Sequence, residues 1–484
     1  MNAIRGALRL AVICGLVVIA SRPAQAQTEV VIYNFCSQPN CADGEGPASS
    51  LTRDGAGNFY GTTALGGANL QGTVFELSPN GDGGYNETVL YSFCSAQNCA
   101  DGNDPSSTVI FDGAGNLYGT ACSGGANGQG VVSSCGAGFN GYGVVFELSP
   151  QPGGGCPSGS NSGNGWCETV VYSFKSTPDG ASPFAGLSID ASGNLYGTTY
   201  GGGSGSGTVY ELSPNGKGGW SESVLYSFCA QAKCADGAHP DGQLQAGNGN
   251  GNFYATTESG GASAAGTVFG LSPAPHGGCP SGSYTGNGWC ETILHNFAGH
   301  PTDGTYPSGT PTLDSAGNLY GTTVYGGKGR CADVYKGCGT VWKLIPSGGA
   351  YTETVIHAFQ SGPGLFGCCF AIQAPDLPFP GVVLDGSGNL YGMTTYGGNP
   401  SYCQEKGKRA DLQSCGAIFE LIGGKKATKY TSQLLWIFDL ADGAHPMASL
   451  IWNGGNFYGT TYDGGLGDFC PYLDGCGAAF EFTP

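Results

Sequence analysis

Short runs of alternating apolar and polar residues, punctuated by glycine, proline, asparagine and serine, recur along almost the entire chain. In the least decorated repeat they are residues 186–190 (GLSID), 194–199 (NLYGTT), 208–213 (TVYELS) and 222–228 (ESVLYSF). β-branched and aromatic residues at a period of two predict strands, and the punctuation predicts tight turns. Each repeat therefore reads as a four-stranded meander, its strands A to D in chain order. Between A and B stands Asp190-Ala-Ser-Gly193-Asn194, with Asp first and Gly fourth as a type I turn prefers. The same turn is expected at Asp54, Asp112, Asp314 and Asp385. A calcium loop would need alternating acidic ligands, which this pentapeptide lacks.

The strand B hexapeptide returns seven times, starting at Asn58, Asn116, Asn194, Asn252, Asn318, Asn389 and Asn456. A period of 58 to 78 residues with strand-type composition points to a repeat array such as a propeller. The C-type segment also occurs seven times, the last at residues 479–484. The D-type segment has seven copies too, but its first, residues 29–35, precedes the first hexapeptide, and none follows the last. A linear solenoid has no use for that offset. A ring does, because the spare strand completes the last blade and removes two open edges. The expected fold is all-β: one seven-bladed β-propeller over residues 27–484, closed by residues 29–35 as outer strand of the last blade.

Phe35, Phe93, Phe174, Phe228, Phe297, Phe359 and Phe438 end the seven D strands, and Tyr, His295, His357 or Trp436 stands two residues earlier. Identical placement predicts packing between blades, with the two histidines standing in for tyrosine. In strand B the Tyr-Gly pair is read as a filler of the blade interface followed by a position that admits a neighbouring backbone.

Composition narrows the setting. Glycine supplies 91 of 484 residues while charged residues supply 11%, which marks a turn-rich β protein. Residues 1–26 read as an export signal: Arg5 and Arg9, an apolar run over residues 10–20, and Ala24-Gln25-Ala26 as the cleavage site. Eleven apolar residues fall short of the roughly 20 that span a bilayer. Removing the leader takes the formal charge from −18 to −21, which argues against nucleic acid or anionic lipid as a partner. No membrane span is expected after cleavage, and a monomer is expected.

Export allows the cysteines to oxidise. Eighteen of the twenty in the mature chain form close pairs: Cys36 with Cys41, Cys94 with Cys99, Cys122 with Cys135, Cys156 with Cys167, Cys229 with Cys234, Cys279 with Cys290, Cys331 with Cys338, Cys403 with Cys415, and Cys470 with Cys476. By parity the vicinal Cys368 and Cys369 remain for each other. No histidine falls inside any of the nine loops, and the spacing varies too much for a zinc site.

The hexapeptide followed by Gly-Gly and then Gly-Thr-Val-Phe-Glu-Leu-Ser-Pro, as in residues 58–79, resembles the Gloeobacter/Verrucomicrobia (GloVer) tandem repeat. All seven units match. The resemblance implies an exported repeat protein of the choice-of-anchor type, whose members often end in a surface-sorting tail; it brings no established activity and no catalytic residues. Residue 484 is reached without such a tail, so free secretion or periplasmic residence stands beside surface attachment as the expectation.

In a meander the B–C and D–A loops share one face, and eight of the ten expected bridges fall there. Loops held by a rigid scaffold are where binding sites usually lie. Six D–A loops carry Asp-Gly-x-x-Pro or a close variant, at Asp43, Asp101, Asp179, Asp236, Asp303 and Asp442, and two of them place His239 and His445 before the proline. Two readings compete: turns in which Asp caps a backbone amide, or a ring of acceptors at the channel mouth for a cation or sugar hydroxyls. Tyr200, Tyr325, Tyr396 and Tyr462 follow strand B at positions that vary between blades, and such rings suit stacking on a glycan. The expected function is a non-catalytic binding scaffold for a glycan, a surface polymer or another extracellular protein. The alternative is a propeller enzyme of the lyase or lactonase kind, with a metal at the mouth polarising substrate. No cofactor is expected, and the ion for which the mouth has room is calcium.

Overall fold

The computed structural model describes residues 27–128, 141–151, 155–157, 159–249, 251–276, 278–329, 337–359, 381–397, 415–423, 429–471 and 475–484. The leader and the vicinal Cys368 and Cys369 lie outside them.

The ring can be built from the hexapeptide, because each of its positions has a partner that its chemistry demands. In the first blade Asn58 closes the A–B turn. Asp54 Oδ1 accepts from the N–H groups of Ala56, Gly57 and Asn58, and Oδ2 accepts from Asn58 Nδ2 and the Tyr60 hydroxyl. The same turn recurs at Asp112, Asp190, Asp314 and Asp385. Phe59 is fully buried. Gly61 pairs across the ladder with Phe75, whose ring folds back over it; a Cβ there would stand 2.6 Å from Phe75 Cζ. Phe146, Tyr210, Trp342, Phe419 and Phe480 cover the equivalent glycines. This corrects the expectation of a neighbouring backbone: what the glycine admits is an aromatic side chain of strand C.

The two threonines face different neighbours. Thr62 Oγ1 donates to Ser107 O of the next blade, as Thr120 does to Ala185, Thr198 to Gly242, Thr256 to Gly309 and Thr460 to Ser49. Thr63 shares a hydrogen bond of 2.9 Å with Thr73 of strand C.

Seven sheets of this kind follow one another around the ring. The blade-to-blade core is aromatic. The Phe that ends each D strand meets a strand C ring of the next blade edge-on: Phe35 with Phe75, Phe93 with Phe146, Phe174 with Tyr210, Phe228 with Phe269, Phe297 with Trp342, Phe359 with Phe419 and Phe438 with Phe480, centroids 4.9 to 6.0 Å apart. Such contacts contribute about 0.5–1.5 kcal/mol each beyond area burial. Thr28–Asn34 pairs antiparallel with Ala478–Thr483 and completes the last blade, in the sheet order that the strand count implied. The molecule is a closed seven-bladed β-propeller.

The two long C–D inserts decorate the rim. Residues Asn161–Ser162 and Tyr284–Thr285 add a fifth strand outside strand D of their blades. Beyond it Asn164 N donates to Leu90 O, and Asn287 N to Leu225 O, on the outer strand of the preceding blade, both at 3.0 Å. Each insert thus satisfies part of an exposed edge and straps two blades together, with Cys156–Cys167 or Cys279–Cys290 at its base.

Candidate functional site

The D–A loop joins one blade to the next, and its motif is constant where it packs. The Asp43 carboxylate is fully buried and accepts from the Tyr33 hydroxyl and from the N–H groups of Ser37 and Gln38. Asp101 and Asp236 repeat this arrangement with Tyr91 and Tyr226. Asp179 takes Tyr172 and two amides, Asp303 takes His295 Nε2, and Asp442 takes Trp436 Nε1. The residue two before the terminal Phe is therefore a hydrogen-bond donor to the loop carboxylate, whether phenol, imidazole or indole. Bridges Cys36–Cys41, Cys94–Cys99 and Cys229–Cys234 close the turns that present those amides. After the Asp, Gly44 packs against Thr63 with φ +99°, and Pro47 lies on Gly477 of the preceding blade.

The residue before the proline varies. Gly46, Asp104, Ser182, His239, Tyr306 and His445 all hold φ between 53° and 64°. Each donates its backbone N–H to the preceding blade, to Cys476, Gln71, Tyr142, Ser206, Ala265 and Cys415 respectively, at 2.8 to 3.1 Å. A left-handed backbone is costly for residues other than glycine and persists only where the surroundings fix it. The scaffold thus holds one backbone shape around the channel mouth and changes the side chain on it.

Tyrosines after strand B stand beside four of these positions. Tyr200 stacks on His239 with centroids 4.5 Å apart, and its hydroxyl donates to Glu258 Oε2 at 2.8 Å. Tyr325 meets Tyr306 edge-on at 5.7 Å, and Tyr396 leans over His445 at 4.7 Å. Tyr462 lies against Gly46. It also borders a cavity of about 240 Å³ with Glu45, Leu65 and Asp463. His445 Nδ1 is 2.7 Å from Asp463 Oδ2, while its buried Nε2 meets no partner among the described residues.

Below the mouth the bore narrows to about 50 Å³ between the segments that lead into the A strands, with Ser49, Ser107, Ala185, Gly242 and Gly309 around it. Asp241 is the one carboxylate among its described lining residues. Its Oδ2 accepts from Ser308 Oγ at 2.8 Å. Burial, then the charge of Glu258, pushes its carboxyl up to about 8. Burial likewise raises Glu258, against the pull of Tyr200 and His239.

A family model described as the Gloeobacter/Verrucomicrobia repeat matches residues 17–160 and 133–286. The chain belongs to this repeat family. No curated protein matches it. Among solved structures it is similar to a putative 6-phosphogluconolactonase from Bacteroides uniformis, with 12% identity and TM-score 0.45 over 81% of this chain and 86% of that one. It is also similar to the PQQ-bound aldose sugar dehydrogenase from Streptomyces coelicolor, with 10% identity and TM-score 0.41 over 96% and 99%. A third is the phage phi92 endosialidase, with 11% identity and TM-score 0.42 over 94% and 68%.

In this member of the Gloeobacter/Verrucomicrobia repeat family the six loop aspartates follow the turn reading, each capping backbone amides of its own loop, and do not ring the mouth. Asp43, Asp101, Asp179, Asp236 and Asp303 are buried and Asp442 is half-buried, each turned inward by the donors of its own turn. Tyr325 is buried, while Tyr200, Tyr396 and Tyr462 are half-buried beside the mouth. His239 and His445 do stand there. Tyr306, Glu258 and Asp241 join them without having been anticipated; the signal available for Tyr306 was a variable residue inside an otherwise constant motif.

Six predicted bridges are present between their predicted partners. Cys122, Cys338 and Cys415 are also bonded, and their predicted partners Cys135, Cys331 and Cys403 lie outside the described residues. This many disulfides fits an extracellular protein. Among the described residues no helix is long and apolar enough to cross a membrane.

Proposed function

We propose that this protein is an exported binding scaffold whose channel mouth holds a polyhydroxylated ligand, a glycan or related surface polymer. The observation that carries this reading is the ring of variable residues on a fixed left-handed backbone, with Tyr200 stacked on His239 and Tyr306 against Tyr325. Aromatic faces accept the C–H face of a sugar, and the adjoining Glu258 and Asp241 carboxyls exchange hydrogen bonds with its hydroxyls. Disulfide-closed loops are ordered in advance and lose little entropy on binding. The leader read over residues 1–26 fits export.

The test is a glycan and polysaccharide screen of the mature chain beside a His239→Gly, Tyr306→Gly double variant. Glycine suits the backbone at both positions, so the variant removes side chains and little else. Binding to the parent, weakened at least about tenfold in the variant, is expected, each lost sugar-stacking or hydrogen-bonding contact being worth of order 1 kcal/mol. A parent that binds no glycan, or a variant that binds as tightly, sinks the reading.

A second reading rests on His445. An imidazole oriented by Asp463 through Nδ1, whose Nε2 meets no partner among the described residues, has the arrangement of a general base. Hydrolysis or elimination of a screened sugar ester, lost in His445→Gln, would favour it.

A further inference from the structure

At six blade junctions among the described residues the loop aspartate faces a glutamate from strand D of the following blade. These are Glu87 beside Asp43, Glu168 beside Asp101, Glu222 beside Asp179, Glu291 beside Asp236, Glu353 beside Asp303 and Glu29 beside Asp442. All six keep at least one buried oxygen without a partner. In most junctions the third member is a tyrosine, whose hydroxyl is already given to the aspartate. Only the junction of blades four and five joins two carboxylates to an imidazole whose contacts the described residues show. Nε2 of His295, a carboxylate oxygen of Asp303 and one of Glu353 lie within 4.8 Å of one another, and the first two are 3.1 Å apart. At the junction of blades five and six, where His357 takes the same place, the glutamate position holds Ser432, which pairs with Leu421 as Glu353 pairs with Leu344.

We propose that His295, Asp303 and Glu353 form a binding site for a divalent transition ion of the zinc class. One imidazole nitrogen and two carboxylate oxygens are the donor set that such ions take, at roughly 2.0–2.2 Å from the metal, which places ligand atoms about 3.0–3.4 Å apart. The His295–Asp303 pair already has that spacing, and Glu353 reaches it by a small rotation of its side chain. Its Oε1 is buried without a partner and would gain one. A cation would also relieve the repulsion between two carboxylates held at close range in a poorly hydrated junction. His295 and Glu353 are half-buried, so an ion has a way in, whereas Glu168 and Glu291 are sealed. The site lies between blades and is independent of the mouth.

The experiment uses the full mature chain, freed of metal by chelation and titrated with Zn2+ by calorimetry and with Co2+ by visible absorption. One equivalent bound, with cobalt bands of a nitrogen and oxygen site, is expected. His295→Tyr installs the residue that four other junctions use, so it should fold, and it should weaken binding by more than about 100-fold, the upper end of what losing a mere outer-sphere partner costs. Glu353→Gln, which keeps the size of the side chain and removes its charge, should weaken it as well. A parent that takes up no metal, or variants that bind as the parent does, overturns the proposal.

Discussion

At the scale of single residues the economy of the repeat lies in donors and acceptors as much as in apolar surface. Tyr91 donates at 2.7 Å to Asp101, and both are essentially fully buried. Tyr91→Phe keeps the ring and removes the one side-chain donor to a buried carboxylate. Hydrogen bonds to charged groups contribute about 1.5–3 kcal/mol, and that loss is expected in denaturant unfolding. The Phe93 contact beside it should survive, so the slope of the unfolding transition should not change. Residue identity was well read where a position repeats for packing and poorly read where chemistry was inferred from type alone. For the loop aspartates the turn cap and the acceptor at the mouth were both open readings, since Asp is seldom buried, and the amide hydrogen bonds are those of the cap. The sequence gives no direct sign that Tyr33, Tyr91, Tyr172 and Tyr226 reach across to cap them, although the Tyr-to-His and Tyr-to-Trp exchanges, which retain a donor and little else, hinted at it.

Strands and loops set the pH behaviour. Burial, then the neighbouring aspartate, pushes Glu29, Glu87 and Glu168 up to about 8 and Glu291 to about 9, from an ordinary 4.5. For Glu168 the Asn161 side chain opposes this in part. In the unfolded chain these carboxyls ionise near their ordinary value, so between about pH 4.5 and 9 the folded state holds protons that the unfolded state has lost. Stability should therefore be greatest at mildly acidic pH and fall as pH rises through that window. Glu291→Gln should stabilise by about 2–4 kcal/mol at pH 8.5 and be nearly neutral at pH 4.5, read from urea midpoints at the two values. The rim straps make a separate prediction. Replacing Cys279 and Cys290 by serine opens a loop with a sequence separation of 11. The expected cost is about 3 kcal/mol, with amide exchange rising first around Leu225. The strands themselves were legible because period-two patterning and turn residues agree at every boundary. The straps were not, since the contact of Asn164 and Asn287 with another blade depends on how blades lie against one another.

For the molecule as a whole, counting strands settled the ring, and the pairing of Thr28–Asn34 with Ala478–Thr483 follows from that count. Deleting residues 27–35 should leave the last blade with a bare edge and remove the buried Ile32 and Phe35 from the core. The expected result is loss of cooperative melting and the appearance of high-mass species in size-exclusion chromatography, and a variant that melts like the parent would contradict the closed ring.

The same closure has a consequence in time. Hydrogen bonds across the seam join residues far apart in the chain, such as Ser449 to Ser50 at a separation of 399 and Leu466 to Asn34 at 432. Every other blade draws its four main strands from one stretch of chain and can assemble as that stretch emerges. The segment made earliest must instead wait, edge unsatisfied, until the latest one arrives. Chain synthesis thus yields an open arc that shuts in one late event, and this waiting strand is the point at which a chaperone, or another copy of the chain, has its best opportunity to intervene.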